Sequence, residues 1–213
     1  MRYRDVFEYF DTPAPPVLYF FVDRIAAVLV WLNVNYLRVH PNYISLLSGI
    51  FALGAVMGFF EGKMIAGAVL YFLSFLMDCV DGPSARAMKK TTKLGVVLEV
   101  WFDSLRLVGS TMALYWTLDV NRPFELLVWA ISFAAGVWLY PKLKESYGGI
   151  LKKRKEGEKM GYRLFPIPAW MDAEVFAFFL SPILGIERFG FHFLVLWYFL
   201  STLAMSAYTL MGF

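Results

Sequence analysis

Four acidic residues lie close together in an apolar stretch of this 213-residue chain, between positions 77 and 106. They form two pairs, Asp78 with Asp81 and Glu99 with Asp103. Spacings of three and four residues put both members of a pair on one face of a helix. Acidic groups inside apolar segments are costly, so they usually face a cavity and mark a functional site. Two helices that each offer such a pair predict a cage of oxygen ligands for divalent cations.

The same stretch also contains basic residues that could pair with these carboxylates. In that interpretation the acids form purely structural ion pairs, and the partners would be Arg86, Lys89, Lys90 and Arg106. Buried ion pairs seldom stabilise a protein enough to explain so many in one place. We therefore favour a metal site.

The spacing of these residues resembles a known family signature. The chain reads Asp78-x2-Asp81-Gly82-x2-Ala85-Arg86-x8-Gly95-x3-Glu99-x3-Asp103. This pattern resembles the signature of the CDP-alcohol phosphotransferase family, D-x2-D-G-x2-A-R-x8-G-x3-D-x3-D. Seven of its eight fixed positions match, and the exception is Glu99, where the family has Asp. Upstream, residues 40–47 (HPNYISLL) are similar to the family's Pro-Asn-x-x-Thr/Ser start of the first membrane helix.

The resemblance implies a reaction. In the family, a CDP-linked donor, typically a CDP-lipid, gives its phosphoryl-alcohol group to the hydroxyl of an acceptor alcohol, and CMP is released. Such a transfer needs cations to neutralise the diphosphate and a base to take the hydroxyl proton. By this resemblance Asp103 is the general base. Two Mg2+ or Mn2+ ions would be held by the family's metal ligands, which correspond here to Asp78, Asp81, Glu99 and Asp103.

The resemblance also implies a binding site for the cytidine diphosphate. The residues at the matching positions are Asn42, Asp81, Gly82, Ala85, Arg86 and Gly95. Without a side chain, Gly82 lets a ligand approach the backbone closely, although small residues such as Gly82 and Ala85 equally suit a tight helix crossing. Arg86 is expected to contact a phosphate oxygen or, alternatively, to pair with Asp81.

The acceptor site is defined less sharply by the sequence. Arg106 lies three residues after Asp103, so it is expected to pair with that carboxylate or, alternatively, to hold a phosphate of the acceptor. Family members that use phosphorylated alcohols imply further candidates for that phosphate, which are Lys142, Lys144 and Arg163. The spacing selects none of them. The sequence leaves open which alcohol is the acceptor and whether the donor's tails are ester- or ether-linked.

The overall composition predicts the elements that hold these residues. Hydrophobic residues make up 59% of the chain and charged residues 17%, and the mean hydropathy is +0.57. So much apolar surface predicts an all-α, polytopic membrane protein, with a single domain over residues 1–213. A net charge of +3 is too small to suggest nucleic-acid binding, and the single cysteine, Cys79, excludes an internal disulfide.

Apolar segments predict a bundle of six transmembrane helices over residues 44–211. The predicted spans are Ile44–Phe60, Met64–Val80, Leu94–Leu118, Glu125–Tyr140, Ala173–Ile186 and Phe191–Met211. Residues 17–39 are also apolar but contain Asp23 and Arg24, which favours an amphipathic juxtamembrane helix at the interface. A juxtamembrane helix occupies this position in the family. Pro83 removes a helical hydrogen bond and predicts a kink or an unpaired carbonyl near the membrane surface.

The distribution of basic residues predicts the orientation in the membrane. The loop over residues 141–171 carries eight Lys and Arg residues, whereas the turns on the opposite side carry only Lys63, Arg122 and Arg188. By the positive-inside rule this loop, both termini and the carboxylates face the cytoplasm of a cell membrane. The basic run Lys152–Lys155 is also expected to attract anionic lipid headgroups. The resemblance further implies a homodimer.

Two other functions are compatible with the same pattern. A small transporter could couple ion movement to the carboxylates, but these lie at one membrane face and not at the midplane, where transporters bind their substrates. Alternatively, the chain is a family member that has lost catalysis, an idea that depends on Glu99 alone. Release of CMP from a CDP-lipid would separate these functions from the transferase.

Overall fold

The described residues of this computed structural model, 1–10, 21–120, 122–137 and 170–210, form helices and short connections and contain no strand. The prediction of an all-α fold is therefore confirmed. The α-helices are α1 Asp23–Leu32, α2 Pro41–Phe60, α3 Met64–Ala87, α4 Lys93–Ser104, α5 Ser110–Thr117, α6 Pro123–Val137, α7 Trp170–Val175, α8 Ser181–Ile183 and α9 Glu187–Leu210. Shorter helical segments are a 3-10 helix, Tyr3–Tyr9, and three π-helical segments, Asn33–Leu37, Leu105–Gly109 and Phe176–Leu180.

The predicted spans overlap these helices, but their number in the membrane stays a prediction. Two of the described helices, α2 and α3, are long and apolar enough to cross a membrane, with mean hydropathies of 1.9 and 1.7, and α6 is apolar but shorter. Through their π-helical segments, α4 continues into α5 and α7 into α8. The helix that contains the second predicted span is longer than that span, because α3 continues past Val80 to Ala87 and includes Pro83.

Local sequence explains where the helices near the acidic residues begin. Pro41 occupies the first turn of α2, where its missing N–H would have no helical partner, and the His40 side chain accepts a hydrogen bond from the backbone of Asn42. Thr92 caps α4 by accepting a hydrogen bond from the backbone N–H of Gly95 at 2.9 Å. These caps place the start of α2 and the start of α4 beside the end of α3.

Two groups of buried apolar residues hold the helices together. The larger group joins α2, α3, α5, α6, the helical stretch 170–183 and α9, and includes Phe59, Tyr71, Leu114, Trp129 and Phe178. The smaller group packs the N-terminal 3-10 helix and α1 against α3, and includes Val6, Val30, Phe75 and Val80. The acidic residues predicted from the sequence lie near the end of α3, at Asp78 and Asp81, and on α4, at Glu99 and Asp103.

The predicted juxtamembrane segment is helical where the structure describes it. In α1, Ala26, Ala27 and Val30 are buried together with Asp23, while Ile25 and Val28 on the opposite side are exposed. Residues 17–20 lie outside the described residues. The interfacial position of this helix stays a prediction.

Candidate active site

A cavity of about 140 Å3 lies between the start of α2, the end of α3 and the start of α4. The structure brings together around it all six residues expected to border the cytidine diphosphate, which are Asn42, Asp81, Gly82, Ala85, Arg86 and Gly95. Glu99 also lines the cavity, one turn along α4 from Gly95. Residues that are more than 50 positions apart in the sequence therefore meet at one polar site.

Asn42 connects the start of α2 to the start of α4. Its Oδ1 accepts a hydrogen bond from the Thr92 hydroxyl at 3.0 Å, and the same hydroxyl oxygen accepts from the Gly95 backbone. A Cβ atom added at Gly95 would lie 3.2 Å from both oxygens, which is closer than an ordinary contact. Gly95 therefore allows the two helix starts to approach closely at the cavity wall, and a side chain there would displace these oxygens by a few tenths of an ångström.

Asp81 is held by a side chain from the neighbouring helix. The Ser45 hydroxyl donates a hydrogen bond of 2.5 Å to Asp81 Oδ2, and both residues are buried. A hydroxyl that donates to a carboxylate fixes the orientation of that carboxylate. Ser45 thus presents Asp81 to the cavity in one defined position.

Gly82 has no packing requirement of its own. The three heavy atoms nearest to a Cβ atom added there all belong to the guanidinium end of Arg86, with Nη1 nearest at 3.4 Å, an ordinary van der Waals distance. Arg86 itself extends to the N-terminal segment, where its Nε donates to the Tyr9 carbonyl at 2.7 Å. The missing side chain at Gly82 therefore keeps space open beside Arg86, as expected where a ligand approaches the backbone.

Asp78 and Asp103 share one cation. Arg106 Nη2 donates to Asp103 Oδ1 at 2.6 Å and lies 3.5 Å from Asp78 Oδ2. The expected pairing of Arg106 with Asp103 is confirmed, and Asp78 is an additional partner. Arg106 contacts only one oxygen of each carboxylate, which leaves the second oxygen of each for another ligand.

The four expected metal ligands are neighbours but are not assembled into a cage. Asp78 interacts electrostatically with Asp81, Glu99 and Asp103. Across the part of the chain that the structure describes, however, no three Asp, Glu, His or Cys side chains converge closely enough to hold a metal ion. The donors are all carboxylates, the chemistry that Mg2+ and Mn2+ prefer, and the Asp78 and Asp103 side chains are 21% and 44% exposed. The residue types and their accessibility fit divalent cations, while the ligand set stays a prediction.

Some contributors to this region were not singled out by the sequence. Ser45 is three residues after Asn42 and therefore on the same face of α2, a signal that the spacing already carried. Glu174 was missed because its partners, Tyr71 and Tyr198, come from helices far away in the sequence. The other acceptor-site candidates, Lys142, Lys144 and Arg163, lie outside the described residues.

The comparison with known families agrees with the geometry. The model of the CDP-alcohol phosphatidyltransferase family matches residues 38–207, which include the start of α2, the acidic stretch and most of α9. A search of curated proteins found no match.

Proposed function

The chain belongs to the CDP-alcohol phosphatidyltransferase family, and from this premise we propose that it transfers the phosphoryl-alcohol group of a CDP-linked lipid to the hydroxyl of an acceptor alcohol in phospholipid biosynthesis. The observation that supports this proposal is that six residues line one and the same cavity, which are Asn42, Asp81, Gly82, Ala85, Arg86 and Gly95. Within it, Arg86 supplies a guanidinium for a diphosphate oxygen, and Gly82 leaves the backbone open to the ligand.

A second cavity supports a donor that carries apolar tails. A groove of about 430 Å3 lies between α1, α2 and α3, and apolar side chains such as Leu29, Leu46, Ile50 and Met77 line most of it. The first turns of α2 contribute to both cavities, since Asn42 and Ser45 line the polar one and Tyr43 and Leu46 line the groove. A lipid-linked nucleotide could therefore place its headgroup and its tails on adjacent faces of α2.

The proposed reaction has a simple balance of bonds and protons. Asp103 takes the proton from the acceptor hydroxyl, whose oxygen forms a bond to the phosphorus that carries the donor's alcohol. The bond from that phosphorus to the bridging oxygen breaks, and CMP leaves with the electron pair. Asp103 is suited to this role because Arg106 holds one of its oxygens at 2.6 Å and orients the other.

The proposed cation site uses Asp78, Asp81, Glu99 and Asp103. Two Mg2+ or Mn2+ ions bound there would neutralise charge that develops on the diphosphate and the departing CMP. The protein's own contribution is to hold the carboxylates in place, with Ser45 on Asp81 and Arg106 on Asp78 and Asp103.

A CMP-release assay tests the proposal directly. Purified protein in detergent is given a CDP-lipid, Mg2+ or Mn2+, and a panel of glycerol phosphate, inositol phosphate, serine and ethanolamine- or choline-like alcohols. We expect CMP release that requires one of these alcohols and a divalent metal. Asp81→Asn should abolish it, and Glu125→Gln, a carboxylate outside the cavity, should not. A wild-type protein that releases no CMP under any of these conditions would contradict the proposal.

The proposed orientation places the cavity, the basic loop and both termini on the cytoplasmic side of a cell membrane, in a homodimer. Cysteine labelling tests this orientation in a Cys79→Ala background. Lys63→Cys is preferred to a change at Gly62, whose φ of +73° disfavours any side chain. We expect Lys63→Cys to react with an impermeant reagent from outside and Glu156→Cys to be protected. The reverse pattern would invert the topology.

A further inference from the structure

A second polar cluster lies in the interior of the bundle, away from the cavity. Glu174 in α7 is only 7% exposed, although it carries a carboxylate. Its Oε1 accepts a hydrogen bond from the Tyr198 hydroxyl at 2.6 Å, and its Oε2 accepts from the Tyr71 hydroxyl at 3.2 Å. An isolated buried carboxylate is strongly unfavourable, so this one must have a function or a counter-charge.

The two tyrosines that hold Glu174 are themselves fixed by aromatic stacking. Tyr71 stacks on Phe178 with ring centroids 4.7 Å apart, and Tyr198 stacks on Trp170 at 5.2 Å. Both tyrosines are essentially inaccessible. The carboxylate of Glu174 is therefore held in one position by side chains from α3 and α9.

Arg106 is a buried positive charge that interacts electrostatically with Glu174. It is 4% exposed, its guanidinium lies over the ring of Phe75 at 5.2 Å, and it interacts electrostatically with Asp103, Asp78, Tyr71 and Glu174. Only Nη2 of Arg106 makes hydrogen bonds, while its buried Nε and Nη1 have no partner among the described residues. Asp78 and Asp103 therefore bind one nitrogen of the guanidinium, while Nε and Nη1 interact only with charges that lie farther away.

The spacing along α3 places Arg106 between the carboxylate of Glu174 on one side and that of Asp78 on the other. Tyr71, Phe75 and Asp78 are separated by four and three residues, so they lie on one face of α3 at successive turns. Tyr71 binds Glu174, Phe75 lies under Arg106, and Asp78 contacts Arg106 Nη2. The order along this face is therefore Glu174, then Arg106, then the carboxylates expected to bind metal.

We propose that Glu174 is a positioning residue that acts through Arg106. The buried negative charge of Glu174 keeps the Arg106 guanidinium between Asp78 and Asp103. It also offsets the repulsion between that guanidinium and a divalent cation. This inference rests on the proposed function, because it takes Asp78 and Asp103 as metal ligands. Arg106 uses one oxygen of each carboxylate and thereby sets their separation. Residues that orient metal ligands in this way typically change metal affinity by roughly 10–100-fold when they are replaced.

Arg106 and Glu174 each lie in or next to a π-helical segment. Arg106 is within the segment Leu105–Gly109, and Glu174 is two residues before the segment Phe176–Leu180. Such interruptions of α-helical hydrogen bonding occur frequently at functional sites, because they redirect side chains into the interior. Their position supports a functional and not merely a packing role for this pair.

A double-mutant cycle measured by Mn2+ binding tests the inference without relying on turnover. The dissociation constant for Mn2+ is measured by electron paramagnetic resonance for the wild type, Glu174→Gln, Arg106→Gln and the double variant. We expect each single change to weaken binding by roughly 10–100-fold. The double variant should bind no more weakly than Arg106→Gln, because Glu174 acts only through the guanidinium. Glu125→Gln is the matched control and should leave the affinity unchanged.

Two outcomes would overturn the inference: unchanged Mn2+ affinity in Glu174→Gln, or an equal loss of affinity when the same change is made in the Arg106→Gln background. If Glu174→Gln does not fold, Tyr198→Phe provides a second test, since it removes the hydrogen bond that holds Glu174 Oε1 and lets the carboxylate move relative to Arg106. It should weaken Mn2+ binding in the wild-type background and not in Arg106→Gln, and any other pattern counts against the inference.

Wild-type controls separate this inference from the proposed function. A wild type that binds no Mn2+ overturns both. A wild type that binds Mn2+ but releases no CMP overturns the transferase, while the affinities of the variants still decide the role of Glu174.

Discussion

The two ends of the α2–α3 pair use small residues for opposite purposes. Near the turn that joins the two helices, a Cβ atom added at Gly58 would lie 3.0 Å from the backbone N and Cα of Gly67. At the other end, the atoms nearest to a Cβ atom added at Gly82 belong to the guanidinium of Arg86, at 3.4 Å or more. The first glycine is therefore required by packing between the helices, whereas the second keeps a cavity open.

The polar side chains follow the same division. Around Gly58 the neighbouring residues, such as Phe59 and Ala55, are buried and apolar. Around Gly82, Asp81, Ser45 and the start of α4 line the polar cavity. The α2–α3 pair thus has a closely packed end near Gly58 and an open polar end near Gly82. Close packing at the first end holds the polar groups at the second end in position.

Asp103→Asn should have the largest effect on the polar end. The amide keeps the shape of the side chain but cannot take the acceptor's proton, so turnover should fall by roughly 10²–10⁴-fold. Binding of the CDP-lipid, measured separately with the purified variant, should largely survive. Asp78→Asn is the contrasting control, because Asp78 is proposed to act through the metal alone, and its loss should weaken donor binding more than the loss of Asp103, which also serves as the base. Near-normal turnover in Asp103→Asn would contradict the general-base assignment.

Substitutions at Glu99 test how closely the polar end of the α2–α3 pair selects its metal ion. Glu extends the carboxylate by one methylene relative to Asp, and a larger, more flexible cage should discriminate less in favour of the small, strictly octahedral Mg2+. We expect Glu99→Asp to remain active with a higher ratio of Mg2+- to Mn2+-supported CMP release, and Glu99→Gln to lose most activity.

The result that would break the Glu99 prediction is a wild type silent with every metal and acceptor but activated by Glu99→Asp. It would mean that the glutamate had disabled the site.

A matched pair of glycine substitutions tests the comparison itself. Gly58→Ala forces a methyl group against the backbone of Gly67, and overpacking of this kind typically costs about 1–3 kcal/mol. It should lower the thermal unfolding temperature in detergent while the folded fraction keeps its affinity for CDP-lipid. Gly82→Ala should leave the unfolding temperature nearly unchanged and raise the KM for CDP-lipid. The comparison fails if both variants behave alike.

Ser45→Ala should have the smallest effect of the four. Removing the 2.5 Å hydrogen bond leaves an oxygen of the buried Asp81 without its donor, at a cost of about 1–3 kcal/mol. We expect a rise in the KM for CDP-lipid, with Ser45→Thr restoring most of the affinity because it keeps the hydroxyl. Equal defects in both variants would show that packing, and not the hydrogen bond, matters at this position.

The sequence by itself determined the class of fold and the residues of the cavity. Apolar composition predicts helices in a membrane, and a three- or four-residue spacing determines which side chains share a helix face, because both are local properties of the chain. Asn42, Asp81, Gly82 and Gly95 could be selected before the helices were seen to meet, because their spacing resembles the family's signature.

Only the tertiary structure decided which polar side chains pair between different helices and where α3 ends. Hydrogen bonds from Arg106 to Asp78 and from Tyr198 to Glu174 join different helices, and no spacing along one segment specifies them. Pro83 removes one hydrogen bond from α3, yet the helix continues to Ala87, with Pro83 itself buried in the packed structure. Packing of this buried part of α3 outweighs the local preference of proline against a helix interior.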